Sequence, residues 1–526
     1  MGGWVTRSLP AGRLLPAGRL LLAGGASALA AILAVVSCSA GPVHAGSGGR
    51  SGAATRAARS QVAGTYAGLA ARAVTTLEHS YYTGAGTWNM CVPAVCRQKN
   101  VDWGADSLTY TLYLHWQVSH DADVVPIMRA LAGTAYQYGP AGSGWSDVPE
   151  WDAIADIREY QVTGDPVALS KAEAAFAAVG SAAATGFAAG ACPRIDYQAP
   201  DGGANHLKTL ETDSNYIKAA LLLYQVTKDA SYLAKAEAKY TAVRTYFLSP
   251  TIPLYTVYVF DSGTRCRQLP GRYYASVNGN MIWAGAELAA VTRQRHYLTQ
   301  ALATAQAVAR YLNDAAGVYA DLQAENDVVE PLVEAMYLLA TADQERFARA
   351  WLLRAAAAAA ADQTAGGTYG RFFDGPPPHA PVTAWQGNGG LALMLGAGRL
   401  DPGGLPANTG LWTRARFVPD DMQLPVSGGG LVRVSFTGRA VAIVGTMGEQ
   451  CCEAGHALVS VDGVPLVDRS GIWQDKSSSG RRIPDTILFA WRWPAAGKHV
   501  IAVGPAPYNP KEGGTFFHMT GYYLVP

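Results

Sequence analysis

Ser146–Ala172, SDVPEWDAIADIREYQVTGDPVALSKA, is the stretch on which the fold turns. Asp147, Pro149 and Glu150 make an acidic helix start, since carboxylates favour the positive end of a helix and proline is tolerated in its first turn. The helix breaks at Thr163-Gly164-Asp165 and a second one begins. The same phrase then returns: Tyr160-Gln-Val-Thr-Gly-Asp165 recurs as Tyr224-Gln-Val-Thr-Lys-Asp229, and SKAEAAF recurs as AKAEAKY. A weaker third copy runs from Val291 to Ala301, with fainter echoes at Trp116–Asp121 and Leu339–Asp343. A supersecondary unit repeated in this way implies an array of helical hairpins, each burying its apolar face on the next.

Working outward, helical periodicity extends from about 59 to 400, with alanine-rich tracts such as Arg354–Ala361 adding strong helix propensity. About twelve helices, or six hairpins, are expected, closing as an all-α (α/α)6 toroid with the starts of the inner helices at one mouth. Residues 401–410, DPGGLPANTG, are a linker. Over 411–526 the apolar period becomes two, as in Leu431–Phe436, Ala440–Val444 and Ile487–Trp493, so an all-β sandwich, a jelly roll, is expected there.

The chain of 526 residues is 49% hydrophobic and 15% charged, with a formal charge of +1. That balance offers nothing to a polyanion, so no nucleic acid partner is expected, and the protein is read as a monomer. Arg7, Arg13 and Arg19 precede an apolar run over 20–36, a secretory signal. Val35-Val36-Ser37-Cys38 resembles a bacterial lipobox, which implies cleavage before Cys38 and a lipid anchor in the membrane, with a surface-exposed or secreted location; an ordinary signal with an incidental cysteine is the alternative. Residues 39–58 form a Gly/Ser/Ala tether. The six remaining cysteines suit disulfides in an exported chain, with Cys91–Cys96 and Cys192–Cys266 the local pairs, and Cys451-Cys452 either vicinally bridged or reduced. No cysteine has zinc-site spacing with histidines, so neither metal nor other cofactor is expected.

Asp147-Val148-Pro149-Glu150-Trp151 through Thr163-Gly164-Asp165, Lys208 with Asp213 and Leu223-Tyr224, and Asn278-Gly279-Asn280 before Trp283 together resemble the six-hairpin glycosidases, most closely glycoside hydrolase family 76. The resemblance implies hydrolysis of an α-linked polysaccharide such as α-mannan, with Asp147 as nucleophile. The family's second, adjacent aspartate is the acid/base, and here that position is Val148. A non-catalytic glycan-binding lipoprotein is therefore the rival reading. The β domain resembles the galactose-binding-like jelly rolls appended to glycosidases, with Trp473, Trp491, Trp493, Tyr508 and His518 as carbohydrate-contact candidates; Trp491 and Trp493 share one strand face and, turned inward, are core instead, and a purely structural module is the alternative.

Glycoside cleavage needs two carboxyl groups, about 5–5.5 Å apart for retention and roughly 6.5–9.5 Å for inversion. Asp147 and Glu150 share one helix face. Asp102, Asp106, Glu211, Asp213, Glu325, Asp327 and Glu330 also precede or open inner helices, and of these Asp102 and Asp213 are the leading proton-donor candidates beside Glu150. Trp103, Trp145, Trp151, Trp283 and Trp385 are candidate sugar plates, and Lys208 and Asn278 candidate polar contacts. The plain reading of Asp147-x-x-Glu150 is a capping box.

Overall fold

The computed structural model describes residues 64–84, 86–96, 99–100, 103–133, 146–182, 190–198, 206–320, 328–379, 381–407, 410–425, 430–447, 456–468, 472–473, 483–505 and 516–526. The signal, Cys38 and the tether lie outside these residues, as do Cys451 and Cys452.

The first part is helical. Its twelve principal helices are α1 (Tyr66–Thr76), α2 (Leu108–Ser119), α3 (Val124–Gly133), α4 (Val148–Thr163), α5 (Pro166–Ala182), α6 (Leu210–Thr227), α7 (Ala230–Phe247), α8 (Ala275–Thr292), α9 (Arg295–Tyr311), α10 (Glu330–Thr341), α11 (Arg346–Asp362) and α12 (Ala384–Leu400). The even-numbered helices pack on one another in succession, α2 on α4 through to α12, and α12 packs on α2. The odd-numbered helices cover them from outside, α5 on α4, α7 on α6, α9 on α8 and α11 on both α10 and α12. Glycine makes one of the closest approaches possible: a side chain at Gly279 of α8 would fall into the backbone of Leu332 of α10.

Each even helix is joined to the next odd one by a short turn, 120–123, 164–165, 228–229, 293–294 and 342–345. Short turns make antiparallel neighbours, so these turns gather at one end of the domain and the long connections at the other. The sequence repeat is the code for the short turns. In the first copy, Thr163 Oγ1 donates to Glu159 O and accepts from Asp165 N, Gly164 takes the left-handed region at φ 69°, and Asp165 accepts from Val167 N to start the next helix. Thr227, Lys228 and Asp229 repeat every part of this, with Lys228 at φ 62°. Thr292, Arg293 and Gln294 keep the hydroxyl bonds and the φ of 62°, and Ser119, His120 and Asp121 form a fourth version. A side-chain hydroxyl and a left-handed residue thus satisfy the last carbonyls of each helix.

The long connections carry structure of their own. Leu207–Thr209 (β1), Tyr258–Asp261 (β2) and Cys266–Leu269 (β3) form an antiparallel sheet, and the disulfides Cys91–Cys96 and Cys192–Cys266 both lie at this end. The helices α6, α8 and α10 begin at Leu210, Ala275 and Glu330. Asn278-Gly279-Asn280 consequently lies inside the first turns of α8 rather than in a turn before it.

The C-terminal region is β-rich. Its long strands are β4 (Arg416–Pro425), β5 (Val432–Met447), β6 (His456–Val461), β7 (Ile483–Pro505) and β8 (Phe516–Val525), paired antiparallel in the order β6-β7-β5-β8-β4, with the short strands Val464–Pro465 and Ile472–Trp473 on β6. One face of the sheet gathers Val441, Ile443, Val459, Phe489, Trp491, Trp493, Ile501 and Phe517 into its own core. The other face, through Ala440, Ala442, Val444, Ile487 and Ala490, packs on Phe372 of the helical domain. Further ties are Tyr273 N to Asp468 Oδ2 (3.0 Å), Arg492 Nε to Asp314 Oδ2 (3.4 Å) and Ala316 N to Arg492 O (3.1 Å). Residues 273, 314, 316 and 372 all sit in long connections, so the β region is seated on the long-loop end.

Candidate active site

Asp147 caps α4 at that end. Its side chain makes no capping bond to the helix's own amides, so the plain reading of the motif is not what the structure displays. Asp147 is half-buried, and burial pushes its carboxyl up to about 6 against the pull of Trp151 and its own backbone amide. Glu150, one turn on, is fully buried, and neither of its carboxyl oxygens meets a hydrogen-bond partner among the described residues. Burial first, and then the charges of Asp196 and Asp147, hold the Glu150 carboxyl well above its usual range.

Three long connections hold this place together. Ser146 N donates to Gln198 O (2.9 Å) and Thr209 N to Asp196 O (3.2 Å), which pins the start of α4 and the start of α6 to the segment 190–198. That segment is stapled to β3 by Cys192–Cys266. Asp261 of β2 accepts from the amides of Ala191, Cys192 and Gly263, and its carboxylate leaves no room for a side chain at Gly190, which adopts φ 111°. Lys208 completes the lock: it is fully buried, donates to Cys192 O (2.7 Å) and pairs with Asp261 (3.2 Å).

Asp196 and Asp213 share the ammonium of Lys239, at 2.7 and 2.8 Å. Burial works to strip the proton from Lys239, but the two aspartates outweigh it and hold the lysine charged. Asp213 is also fully buried, which raises it to about 7 against the pull of Lys239, and its other oxygen accepts from Asp196 N. Tyr216 faces the same cluster and is pushed up to about 12, by burial first. The result is a chain of charge, Asp147–Glu150–Asp196–Lys239–Asp213, running from half-exposed to fully enclosed.

Against the sequence expectations, the structure brings Asp147, Glu150 and Asp213 into one cluster and gives other residues different work. Asp213 is bound up with Lys239 and Asp196 rather than held out to a substrate. Lys208 is a structural tie and not a substrate contact. Asn278 is spent on the Tyr255 amide and carbonyl and on Tyr274 O. Trp151 and Trp283 are 5% and 4% exposed, the first edge-on to Tyr110 and the second facing Lys218, so they pack the interior and present no plate to a sugar. Glu330 is buried and accepts from Asn388. In the β region Trp491 and Trp493 are core residues, because the strand turns their shared face inward, and His518 is buried against Asp421 at 2.6 Å. Asp102, Trp145, Glu325, Asp327 and Tyr508, and the side chains of Trp103, Trp385 and Trp473, lie outside what the structure describes.

Two residues of the cluster escaped the sequence reading. Lys239 had a signal: in the repeat SKAEAAF/AKAEAKY it is the place where Ala175 of one copy becomes a charge in the other. Asp196 had none beyond its nearness to Cys192.

No protein-family model and no curated protein sequence matches the chain. Solved structures do. The GH76A α-1,6-mannanase from Salegentibacter sp. HEL1_6 superposes with a TM-score of 0.55 at 18% identity, over 64% of this chain and 100% of that one. An inactive variant of the same enzyme with two consecutive aspartates replaced, in complex with α-1,6-mannotetrose, gives 0.55 at 19%, over 64% and 99%. A GH76 α-mannanase from Bacteroides thetaiotaomicron gives 0.54 at 15%, over 64% and 96%. The helical part therefore has a family-76-like fold, with a separate β-rich region after it.

Proposed function

We propose that the protein is a glycoside hydrolase acting on α-mannan-like glycans, with its helices closed as an (α/α)6 toroid and its site at the long-loop end. The observation that carries this reading is Asp147: a half-exposed carboxyl at the start of α4, free of capping duty, in a fold shared with α-1,6-mannanases. With its carboxyl near 6, Asp147 is ionised at neutral pH and serves as nucleophile or base. Glu150 beside it, whose carboxyl burial and the neighbouring acids push well above its usual range, is the donor, reaching the glycosidic oxygen by turning its side chain toward the mouth. Two carboxyl groups pushed apart in this way divide the acid and base roles.

The test is sugar release from α-1,6-linked mannan and mannotetraose by the wild type, Asp147→Asn and Glu150→Gln. Release by the wild type with loss in both variants supports the assignment; full activity in Asp147→Asn removes that residue from the reaction. A second reading, a glycan receptor without hydrolytic activity, is favoured by one observation: Val148 is buried where the resemblance expects an acid, and Glu150 is itself enclosed. Tight binding of mannotetraose that remains uncut on long incubation decides for it.

The same proposal extends to location. A signal over 1–38, acylation at Cys38 and a tether to 58 would hold the enzyme on the outer face of the membrane, in keeping with two disulfides. Labelling with a fatty-acid probe that vanishes in Cys38→Ala checks this.

A further inference from the structure

Among the described residues of the β region, Trp491, Trp493 and His518 are buried, and the region sits on the long-loop end. Where it meets the connection after α11 there is a small cleft, open to solvent. The helical side supplies Asp362, Gly370, Arg371, Phe372, Pro376 and His379; the strand β7 supplies Asp485, Thr486 and Ile487.

Three features distinguish this cleft from a casual gap between two packed bodies. Asp362 is fully buried in its lining; Gly370 N donates to one carboxyl oxygen, and the other has no partner among the described residues. Asp485, exposed on the opposite wall, holds φ 55° inside a long strand, a left-handed conformation that a non-glycine residue adopts only at a cost. It lies where the pairing of β5 with β7 slips, between Gly445 and Met447, and its charge reaches Tyr523, whose ring lies 6.1 Å from that of His379. The walls beside these groups are flat and apolar, Phe372 and the prolines.

We infer that this seam is a second saccharide site, in which Asp362 and Asp485 accept from sugar hydroxyls, Arg371 and His379 donate to them, and the ring of Phe372 with the prolines lies against the sugar's C–H face. Burial and the charge of Asp374 push the Asp362 carboxyl well above its usual range, the remaining acid Asp485 stands against one guanidinium, and acceptors and donors over an apolar wall suit a neutral polyol. Because the seam and Asp147 occupy the same end of the helical domain, a long glycan can touch both. The inference rests on the glycan reading above only for the choice of sugar.

The experiment uses the mature full-length chain carrying Asp147→Asn, so that ligand is not consumed, with and without Asp485→Gly. Glycine suits a left-handed φ, so this variant removes the carboxyl while easing the backbone. Affinity for α-1,6-mannan polymer, read by titration calorimetry, is expected to fall about tenfold in Asp485→Gly while the thermal midpoint holds or rises. Arg371→Ala gives a second reading of the same fall. Affinities within twofold of the parent in both variants overturn the inference, as does failure of the parent to bind mannan at all. Binding that depends on Asp485 in a protein whose wild type cuts no mannan upholds the seam and defeats the hydrolase reading; cutting with no dependence on either residue does the reverse.

Discussion

The two ends of the even-numbered helices are built on opposite rules. At the short-turn end, three or four copies of one device close the helices, and every group in it has its partner. At the long-loop end the described parts of the connections differ from one another, and among the described residues buried acids stand with oxygens unanswered. A fully bonded terminus stabilises; an enclosed carboxyl without partners destabilises the fold and persists where it serves a reaction. The contrast separates scaffold from site within one repeated architecture.

The largest blow to this contrast comes from Asp147→Asn. We expect mannan cleavage to fall by about 10⁴-fold or more, with circular dichroism unchanged and the thermal midpoint at neutral pH held or raised. Equal loss of structure and activity would make Asp147 part of the scaffold after all. Next is Lys239→Ala, which leaves Asp196 and Asp213 buried beside each other without their cation and costs about 3–5 kcal/mol of stability in urea unfolding. A loss under about 1 kcal/mol would show that the cluster is solvated and weakly coupled.

The pH dependence is subtler. The native Asp147 carboxyl, near 6, lies above its unfolded value of roughly 3.9. Between those values the native state binds the extra proton, so stability is highest on the acid side and falls as pH rises toward 6. Activity moves the other way, gaining with an apparent pKa near 6 as the carboxylate forms. The thermal midpoint should therefore drop between pH 4.5 and 6.5 more steeply in the wild type than in Asp147→Asn, in proportion to about 2.303RT per proton. The smallest effect belongs to the closed end. Lys228→Gly relieves a left-handed φ of 62° and is expected to stabilise by about 0.5–1 kcal/mol without touching activity.

What could be read from the sequence divides along the same line. The hairpin array was legible because the Thr–left-handed–Asp turn needs particular residues at fixed places, so each copy spells itself out. The switch to strands past 411 was legible from its period, and both local disulfides from the spacing of their cysteines. Asp147 and Glu150 stood out as an acidic helix start. Their partners did not, because Asp196 and Lys239 meet them only after the segment 190–198 folds over α6 and α7. Asn278 and Trp283 misled for one physical reason: polar and aromatic residues on inner helices look like ligand contacts, yet the interior of this domain is itself polar. Arg158 and Lys218 share Glu334 there, and Asn280 bonds Asn215. Lys208, on β1, is instead locked to Cys192 O and Asp261. Trp491 and Trp493 misled because a strand's alternation fixes which residues share a face but not which face meets water.

Cys192–Cys266 has a further bearing. The cross-link holds the short arm that delivers Asp196 to Glu150, so the acidity of the site is set partly by the oxidation state of a bond that touches neither residue. A chain kept reduced while it folds would free that arm, let water in beside Glu150 and release its proton at lower pH. The proposed acid–base chemistry would then become competent only in an oxidising compartment.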